Sequence, residues 1–404
     1  MKCGLLGRQL KHSYSPAIHQ LLGDYEYRLF EIEPEALKDF LQNADFDGIN
    51  VTMPYKKAVI PYLDELTPIA MELNAVNTIV RHSGKLVGDN TDYWGFRSMV
   101  DKSGLSPAGK KCLVLGSGGA SQVAQTVLRD LNAEVIVISR TGENHYGNLM
   151  KHADAAILVN TTPLGMYPHT GISPVDLGLF QSLEGVLDVV YNPARTQLLL
   201  DAQQRGIVAM NGLWMLVSQA MYASVRFTGN ESLSMGIDDI YNILKSQMEN
   251  IILIGMPGCG KSTVGKLLAE KTGKPFVDTD EEIINLAQKS IPRIFAEDGE
   301  RVFRQLENQI LEKLGKQSGL VIATGGGCVT QQNNYPLLHQ NGRIFWLQRD
   351  LDRLPADGRP LSVASSINEM YEQRKALYAS FADHIIDNNG TAENTVLSIL
   401  EKLK

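Results

Sequence analysis

The stretch Gly255-Met-Pro-Gly-Cys-Gly-Lys-Ser-Thr263 follows an apolar run at 251–254 and precedes a helix-forming segment at 263–271. It has the complete G-x-x-x-x-G-K-S pattern in the strand, loop and helix context that a phosphate-binding loop needs. In such a loop, backbone N–H groups and the N-terminus of the helix bind phosphate oxygens. This context disfavours the alternative of a glycine-rich turn without function. The stretch therefore predicts a nucleoside-triphosphate site.

The residues of this loop have separate predicted roles. The Lys261 ammonium is expected to reach the β- and γ-phosphates of ATP, and the Ser262 hydroxyl is expected to bind Mg²⁺. Lys261 is therefore one of the predicted catalytic residues. The predicted ATP-binding residues of the loop are Gly258, Cys259, Gly260, Lys261, Ser262 and Thr263.

A second glycine-rich stretch, Gly116-Ser-Gly-Gly-Ala-Ser121, follows an apolar run at 112–115 and opens a predicted helix at 121–131. It departs from the G-x-G-x-x-G pattern of dinucleotide-binding folds, so alone it is weak evidence. The next predicted strand strengthens it, because that strand ends at Ser139-Arg140-Thr141, where such a fold holds the ribose. An arginine at this point favours the 2′-phosphate of NADP. The predicted cofactor-binding residues are Gly116, Ser117, Gly118, Gly119, Ala120, Ser139, Arg140 and Thr141.

Length and composition exclude several classes of protein. With 404 residues the chain should form two or three domains, and 44% hydrophobic with 21% charged residues is typical of globular proteins. A net charge of −7 disfavours nucleic acid or an anionic membrane as a partner. The four cysteines show no paired spacing, so neither a disulfide nor a zinc framework is expected. No signal peptide or membrane-length apolar run is present, so we expect a cytoplasmic protein.

The alternation of strand and helix patterns predicts an α/β fold throughout. Residues 1–100, completed by helices within 213–247, are expected to form an α/β substrate domain, and residues 101–212 a Rossmann-like NADP-binding domain. Residues 250–404 are expected to form a P-loop kinase domain with a parallel sheet between helices. A predicted helix at 237–248 runs almost directly into the strand at 251, which leaves no room for a flexible linker.

Four polar clusters, at residues 12–16, 50–56, 74–78 and 88–92, lie at the ends of predicted strands. Each alone could be turn or helix-cap chemistry. Together they supply hydroxyls, amides, a lysine and a carboxylate in one domain. That combination is suited to binding a polyhydroxylated ring.

The four clusters and the loop at 116–121 closely resemble shikimate dehydrogenase. The resemblance continues through Asn160-Thr-Thr-Pro-Leu-Gly-Met166, Asp188-Val-Val-Tyr-Asn-Pro193 and Gly212-Leu-Trp-Met-Leu-Val-Ser-Gln219 and covers residues 1–245. It implies that Lys56 and Asp92 are the catalytic pair. It also implies that the ring is bound by Ser13, Ser15, Thr52, Asn77, Asp92, Tyr191 and Gln219, and that Gly212 contacts the cofactor.

The chemistry of ketone reduction supports the Lys56–Asp92 pair independently. Hydride transfer leaves an alkoxide that needs a proton donor, and a lysine oriented by a carboxylate can supply the proton. A surface ion pair without function is the alternative. The family commonly has a second arginine after Arg140, whereas this chain has Gly142-Glu143-Asn144, which predicts a weaker preference for NADP over NAD.

The second half carries further motifs besides its phosphate-binding loop. They are Asp278-Thr-Asp280, Gly299-Glu-x-x-Phe-Arg304-x-x-Glu307, Thr324-Gly-Gly-Gly327, Gly358-Arg-Pro-Leu361 and Arg374-x-x-Leu-Tyr378. This set is similar to shikimate kinase over residues 250–404. The similarity implies that Asp280 orients or deprotonates the nucleophilic hydroxyl, that Asp278 supports Mg²⁺ and that Arg359 contacts ATP. It also implies that shikimate is bound by Asp280, Arg304, Gly325, Gly326, Gly327 and Arg374.

The two arginines also have a structural explanation. Arg304 could form a helix-surface pair with Glu300 or Glu307, which lie four and three residues away. Arg374 has no acidic residue three or four positions away, so this explanation is weaker there. Forked donors suit a ring carboxylate in either case.

The two resemblances name consecutive steps on one metabolite. The chain is therefore expected to reduce 3-dehydroshikimate with NADPH and then to phosphorylate shikimate with ATP and Mg²⁺ in the biosynthesis of aromatic amino acids. The alternatives are a quinate or other cyclitol dehydrogenase fused to a small-molecule kinase, or a chain in which one half is a degenerate binding module. The expected partners are small molecules, and formation of a homo-oligomer is left open.

Overall fold

The computed structural model describes residues 1–10, 13–231, 235–354 and 367–403. The chain divides into two compact units, each described separately below. The first unit consists of Met1–Leu164, Ser173–Tyr191 and Asp201–Ile243. The second unit consists of Gly165–Ile172, Asn192–Leu200 and Leu244–Lys404.

The first unit contains a mixed six-stranded sheet in the order β2-β1-β3-β5-β6-β4. β1 is parallel to β2 and β3, whereas β5 is antiparallel to β3 and β6. Ser83 and Gly84 both have positive φ, as the two-residue turn between β5 and β6 requires. The strands are β1 (Lys2–Gly7), β2 (Glu26–Glu31), β3 (Gly48–Val51), β4 (Glu65–Leu66), β5 (Thr78–His82) and β6 (Lys85–Asp89). The helices are α1 (Ser15–Leu22), α2 (Leu37–Asn43), α3 (Tyr55–Ala58), α4 (Pro68–Leu73) and α5 (Asp92–Ser103).

A second sheet in the first unit has five parallel strands in the order β11-β10-β9-β7-β8. Its central strands read as continuous apolar runs because helices cover both faces of such a sheet. The strands are β7 (Lys111–Leu115), β8 (Glu134–Ile138), β9 (Ile157–Asn160), β10 (Gly185–Asp188) and β11 (Val208–Met210). The helices α6 (Gly119–Asp130) and α8 (Leu213–Thr228) belong to this unit, and α7 (Gln197–Gln204) and α9 (Ile237–Met248) each contain a boundary between the two units.

Helices α5 and α8 pack closely against each other within the first unit. A glycine permits this approach, because a Cβ on Gly95 would lie 2.8 Å from the backbone oxygen of Met215 and 2.9 Å from the Cβ of Gln219. α5 begins with Asp92 and α8 carries Gln219. The close packing therefore fixes two of the predicted site residues relative to each other.

The second unit contains five parallel strands in the order β13-β14-β12-β15-β16. Its core is apolar and almost fully buried. The strands are β12 (Asn250–Ile254), β13 (Phe276–Asp278), β14 (Val321–Ala323), β15 (Gly342–Gln348) and β16 (His384–Asp387). The helices are α10 (Lys261–Thr272), α11 (Thr279–Ala287), α12 (Ile291–Glu297), α13 (Gly299–Gly315), α14 (Asn334–His339), α15 (Ile367–Phe381) and α16 (Ala392–Leu403).

Short 3₁₀ turns complete the described secondary structure. They are Pro34–Ala36, Ile60–Tyr62, Tyr146–His152, Leu177–Leu179, Cys328–Thr330 and Leu351–Arg353. The amphipathic pattern of residues 34–43 predicts a single helix, whereas the structure has a 3₁₀ turn followed by α2. None of the described helices combines the length and the apolar character needed to cross a membrane.

The predicted α/β class, with a Rossmann-like sheet and a parallel P-loop sheet between helices, is confirmed. Parallel strands deliver their carboxyl ends to one edge of a sheet, which is where such folds bind ligands. β7 leads into the loop at 116–121, and β12 leads into the loop at 255–260. α9 ends at Met248 and β12 begins at Asn250, so no flexible linker separates them, as the sequence predicted. The division of the first unit into two domains stays a prediction.

Candidate active sites

Lys56 and Asp92 form a direct ion pair in the first unit. Lys56 lies on α3, just after β3, and Asp92 is the first residue of α5, just after β6. The Nζ of Lys56 donates to the Oδ2 of Asp92 at 2.6 Å, and the two side chains are 31% and 16% exposed. The pair is neither buried nor on the open surface. The ammonium can therefore meet a ligand while the carboxylate holds it in place.

Three hydrogen bonds fix the orientation of the Asn77 side chain. Its Oδ1 accepts from the backbone N–H of Thr91 at 2.7 Å and from the Thr78 and Thr91 hydroxyls at 3.0 and 3.2 Å. All three donors bond to Oδ1, so the Nδ2 group is the part of the amide that can donate to a ligand. Thr91 directly precedes Asp92, so Asn77 and the ion pair are parts of one arrangement.

Tyr27 and His19 support this arrangement and were missed by the sequence analysis, whereas Asn50 and Thr78 lie in the predicted polar clusters but had no assigned role. The Tyr27 hydroxyl donates to the Oδ1 of Asn50 at 2.8 Å, and the Nδ2 of Asn50 donates to the Thr78 hydroxyl at 3.2 Å. The Tyr27 ring stacks on His19 with centroids 4.0 Å apart. Burial raises the pKa of Tyr27 and lowers the pKa of His19 to about 3, so both are neutral in the folded protein.

The predicted serines occupy the start of α1. The backbone N–H of Ser15 donates to the Ser13 hydroxyl at 3.2 Å. Between the two serines, the Tyr14 ring meets the Tyr191 ring edge to face, with centroids 5.9 Å apart. Burial raises the pKa of both tyrosines. Tyr191 comes 177 positions after Tyr14 in the sequence, and the fold places it beside the serine pair.

The two other predicted ring-binding residues are held by backbone contacts. Thr52 follows β3, and its backbone N–H donates to the carbonyl of Leu6 at 2.9 Å. Gln219 lies on α8, where its Nε2 donates to the carbonyl of Leu216 at 2.9 Å. In the described part of the chain, neither side chain forms a hydrogen bond with the Lys56–Asp92 pair, so their part in a common site stays a prediction.

The loop at 116–121 has the shape of a phosphate cradle. Gly116 has a φ of +108°, and a Cβ there would lie 2.9 Å from the Thr161 hydroxyl. The Ser121 hydroxyl donates to the carbonyl of Gly116 at 2.7 Å and closes the loop against the first turn of α6. A Cβ on Gly118 or Gly119 would meet nothing within 4 Å, so the space over the loop is open. Ser117 and Ala120 complete this exposed edge.

The residues predicted to bind the ribose follow β8. Ser139 donates through its hydroxyl to the carbonyl of Thr141, and its backbone N–H donates to the carbonyl of Asn144 at 3.3 Å. Arg140 is exposed. Gly212 caps α8, and a Cβ there would lie 2.1 Å from the backbone oxygen of Val189, which only a glycine can tolerate.

The phosphate-binding loop of the second unit is held open by backbone conformation. Gly255, Gly258 and Gly260 have φ values of +143°, +80° and +97°. The Nζ of Lys261 donates to the carbonyls of Gly255 and Met256, both at 3.0 Å, and the side chain is almost fully buried. The ammonium is thus positioned over the loop before any phosphate binds. Cys259 is buried beneath it, with Thr263 one turn into α10.

Ser262 and Asp278 form an oxygen pair beside this loop. The Ser262 hydroxyl donates to the Oδ2 of Asp278 at 2.6 Å. The other carboxylate oxygen of Asp278 accepts from the backbone N–H of Asp280 at 3.0 Å and caps α11. A hydroxyl and a carboxylate are hard oxygen donors of the kind that Mg²⁺ takes. The described residues hold no cluster of three or more His, Cys, Asp or Glu side chains that could bind a metal alone.

The glycines 325–327 lie among the charged side chains of the predicted kinase substrate site. A Cβ on Gly325 would lie 2.9 Å from the Oδ1 of Asp280 and 3.0 Å from the Oε1 of Glu307. A Cβ on Gly327 would lie 2.3 Å from the Nη2 of Arg304. Arg374 donates to the carbonyl of Gly326 at 3.2 Å. The structure thus brings Asp280, Arg304, Arg374 and the three glycines together, and their binding of a substrate stays a prediction.

Arg304 is both an ion-pair partner and a buried cation. Its Nη1 donates to Glu307 at 2.9 Å and its Nη2 to Glu300 at 3.2 Å, so the helix pairs considered as an alternative are present. Yet the guanidinium is only 9% exposed. Burial opposes its charge, but Glu307 and Glu300 outweigh this and raise the pKa of Arg304. Burial also raises the pKa of Glu307, while Arg304 opposes that rise.

Two residues of this second site were not predicted from sequence. The Glu307 carboxylate is fully buried, and its Oε1 has no hydrogen-bond partner among the described residues. The Tyr378 hydroxyl donates to the carbonyl of Gly326. The spacing Arg304-x-x-Glu307 and the Tyr378 of the last motif were the available signals. Arg359, the predicted lid contact to ATP, lies outside the described residues.

These features define two classes of site in one chain: a dinucleotide-dependent oxidoreductase and a P-loop phosphotransferase. Residues 5–79 match the family described as shikimate dehydrogenase substrate binding domain, and residues 257–404 match the family described as shikimate kinase. Shikimate dehydrogenase (NADP(+)) of Halothermothrix orenii is 38% identical over 262 residues, covering 56% of this chain and 90% of that protein. The chain therefore belongs to the shikimate dehydrogenase family, and it carries a shikimate kinase domain in its C-terminal part.

Solved structures match the same dehydrogenase portion. A chorismate mutase/shikimate 5-dehydrogenase fusion protein from Clostridium acetobutylicum is 35% identical with a TM-score of 0.57, and the match covers 60% of this chain and 96% of that one. Quinate dehydrogenase from Corynebacterium glutamicum in complex with NAD is 28% identical with a TM-score of 0.54, and the match covers 61% of this chain and 99% of that one.

Proposed function

We propose that the chain catalyses two consecutive reactions on one metabolite. The first is the NADPH-dependent reduction of 3-dehydroshikimate to shikimate, and the second is the ATP-dependent phosphorylation of shikimate to shikimate 3-phosphate. The observation that carries this proposal is the Lys56–Asp92 pair, at 2.6 Å, in a chain whose other unit gathers Arg304, Arg374 and Asp280 around its glycines. Both sets of residues suit the same carboxylated ring polyol.

Lys56 acts as the proton donor in the reduction. NADPH, when bound, delivers a hydride to the carbonyl carbon of the ketone. The Lys56 ammonium gives a proton to the carbonyl oxygen as negative charge develops there, and it regains a proton from solvent. Asp92 keeps the ammonium in one orientation and offsets the cost of its partial burial. In the reverse direction, neutral Lys56 accepts the proton from the alcohol.

The remaining dehydrogenase residues hold the ring and the cofactor. The Nδ2 of Asn77 donates to a ring oxygen, and Ser13 and Ser15 donate through their hydroxyls to the ring carboxylate. Thr52, Tyr191 and Gln219 complete the binding of the ring. The loop at 116–120 and Gly212 bind the dinucleotide, and Ser139, Arg140 and Thr141 hold the 2′-phosphate of NADP.

The residues of the kinase site act by positioning the reactants and stabilising charge, and none of them forms a covalent intermediate. Asp280 orients the attacking hydroxyl of shikimate and accepts its proton as the bond to the γ-phosphorus forms. Lys261 stabilises the charge that builds on the transferred phosphoryl group and the leaving ADP. Arg304 and Arg374 bind the ring carboxylate, and Arg359 contacts the nucleotide.

Mg²⁺ is the cation that fits the oxygen pair at the loop. Ser262 and Asp278 would hold it, because their hydroxyl and carboxylate oxygens already lie 2.6 Å apart. When bound, the ion would supply positive charge beside the phosphates. Ser262 and Asp278 would then bind the ion through the oxygens that now share a hydrogen bond.

Quinate oxidation with NAD is a second candidate for the dehydrogenase half. The stretch Gly142-Glu143-Asn144 favours it, because no second arginine follows Arg140 to bind a 2′-phosphate. Comparison of kcat/KM for shikimate with NADP⁺ and for quinate with NAD⁺ separates the two. A higher value for quinate would overturn the proposal for this half.

The experiment that tests the whole proposal follows 3-dehydroshikimate, NADPH and Mg-ATP through to the phosphorylated product. Lys56→Met should lower the dehydrogenase activity by about 10²–10⁴-fold, as for a lost general acid, and leave phosphorylation of added shikimate unchanged. Lys261→Met should have the reverse effect. Lys57→Met is the matched control, because this exposed neighbour lies on the same helix as Lys56.

A mixture of the Lys56→Met and Lys261→Met proteins should restore the overall conversion. We expect a lag while free shikimate accumulates, because each site is complete in its own unit. A mixture that fails at high protein concentration, although each remaining activity is intact, would show that the sites are coupled. Loss of phosphorylation in Lys56→Met would likewise contradict independent sites.

A further inference from the structure

One cation beside the phosphate-binding loop of the second unit takes no part in the mechanism above. Arg349 immediately follows β15, which pairs in parallel with β12, the strand that leads into the loop. Parallel strands end at a common edge, so Arg349 leaves the sheet on the side where the nucleotide must bind.

The Arg349 guanidinium lies against the loop itself. Its Nη1 is 3.6 Å from the position that a Cβ on Gly260 would occupy. The Nδ2 of Asn388 is 3.0 Å from the same position and donates to the carbonyl of Cys259 at 2.5 Å. Asn388 in turn accepts from the Thr395 hydroxyl at 2.6 Å. Arg349 therefore faces a loop that neighbouring side chains hold in one conformation.

Among the described residues, Arg349 lacks the carboxylate partners that Arg304 and Arg343 have. Within the part of the chain that the structure describes, no carboxylate pairs with Arg349, and its buried Nε has no hydrogen-bond partner. By contrast, Arg304 meets two carboxylates and Arg343 meets Glu249 at 2.9 Å. Withdrawing part of a charged group from water without a partner costs free energy, which a bound anion would offset.

The donors of Lys261 are engaged within the loop. Its Nζ donates to two loop carbonyls and, at 3.9 Å, to the Sγ of Cys259, so Lys261 must exchange loop contacts to bind a phosphate. We infer that Arg349 binds a phosphate oxygen of the nucleotide on the Gly260 side of the loop. This inference rests on the proposed kinase function. It adds a nucleotide contact from β15 to those of the loop and of Arg359.

Calorimetric titration of the full-length chain with ADP and with adenosine tests the inference. Arg349→Gln should weaken ADP binding by about 10- to 100-fold, the usual range for a hydrogen bond to a charged group. Adenosine, which has no phosphate, should bind the variant and the wild type equally. Arg349→Lys keeps the charge and should recover part of the ADP affinity. Arg293→Gln is the control, since Arg293 is an exposed arginine that pairs with Glu297 on α12.

Several outcomes would overturn the assignment. Equal losses of ADP and adenosine affinity would place Arg349 at the base instead of the phosphates, and unchanged ADP affinity would mean that the guanidinium only meets solvent. Loss of shikimate binding in Arg349→Gln would indicate a damaged fold. Arg349→Lys with intact shikimate binding then decides the question: a loss of ADP affinity smaller than about tenfold supports the charge contact, and a larger loss contradicts it. Wild-type protein that fails to bind ADP would refute the kinase function itself.

Discussion

Replacing Gly327 by alanine tests whether Arg304 binds the substrate carboxylate of the kinase. A Cβ at this position would lie 2.3 Å from Nη2, 2.5 Å from Nη1 and 2.8 Å from Cζ of Arg304. An ordinary contact is about 3.5 Å, so the guanidinium must move by about 1 Å. Such a shift cannot keep both the 2.9 Å bond to Glu307 and the 3.2 Å bond to Glu300.

The magnitude follows from the geometry of a forked donor. A hydrogen bond that involves a charged group contributes about 1.5–3 kcal/mol, and its loss corresponds to about a 10- to 100-fold weaker complex. We therefore expect Gly327→Ala to raise the KM for shikimate at the kinase by that factor. The KM for ATP should change by less than about twofold, because the phosphate loop is not touched.

The assay couples ADP release to a spectrophotometric signal at varied shikimate and fixed saturating ATP. Dehydrogenase activity of the same polypeptide serves as the internal standard for protein concentration and folding. Arg304→Lys is the companion variant, since a point charge replaces the planar fork and should raise the same KM. An unchanged KM for shikimate in both variants, or a rise in the KM for ATP instead, would refute the assignment of Arg304 to the carboxylate.

Three further results are expected in the dehydrogenase unit. In steady-state kinetics, Arg140→Ala should raise the KM for NADPH by about tenfold and leave the KM for NADH unchanged, because only NADPH has the 2′-phosphate. An equal rise in both KM values would contradict this. Gly212→Ala places a Cβ 2.1 Å from a backbone oxygen and should destabilise the unit by about 1–3 kcal/mol in urea unfolding, whereas Gly118→Ala, with open space around it, should not. Burial lowers the pKa of His19 from 6.5 to about 3, so the unfolded chain binds a proton that the folded protein does not. The contribution of His19 to the free energy of unfolding is therefore fully present above pH 6.5 and should decrease by about 1.4 kcal/mol per pH unit as the pH falls toward 3. A His19→Gln variant whose free energy of unfolding has the same pH dependence as the wild type would refute this.

Much of the fold could be predicted because its signals are local. The sequence pattern at 2–7 predicts a strand, and the helix at 237–248 was predicted above; both elements have these bounds in the structure. Their signals, strand length and helix periodicity, need no distant contacts. The signals for the two glycine-rich loops are equally local, because the backbone conformations of these loops require Gly at fixed spacings. Positive φ at Gly116 and at Gly260 confirms why those positions are glycine.

The support of the first site could not be predicted in the same way. Tyr27 lies on β2, Asn50 near the end of β3 and Thr78 at the start of β5. Because β1 lies between β2 and β3, their hydrogen bonds exist only after four strands pair. Nothing in the sequence near Tyr27 distinguishes it from Tyr25, which bonds to Ser224 instead. Side-chain networks of this kind depend on register, and register is set by the whole sheet.

Arg304 shows why pair spacing alone left its role open. The sequence offered an ion pair within a helix and a substrate contact as alternatives. The structure contains the ion pairs, and the substrate contact stays a prediction. Glu307 is fully buried and holds Nη1, whereas Glu300 is 52% exposed and occupies Nε and Nη2. An exposed carboxylate regains its hydration when it leaves, so Glu300 costs little to displace. A buried carboxylate that loses its partner gains no hydration in exchange, so Glu307 remains bonded to Arg304.

This difference gives the two glutamates separate functions in the proposed kinase. Glu307 keeps the guanidinium charged and aligned in a buried position, and the pKa of Arg304 is raised as a result. Glu300 pairs with the Nε–Nη2 edge in the absence of substrate and gives it up to the ring carboxylate, which needs the same forked donor. A chain with a net charge of −7 can in this way present a cation to an anionic substrate, because one carboxylate fixes the arginine and the other is exchanged for the substrate.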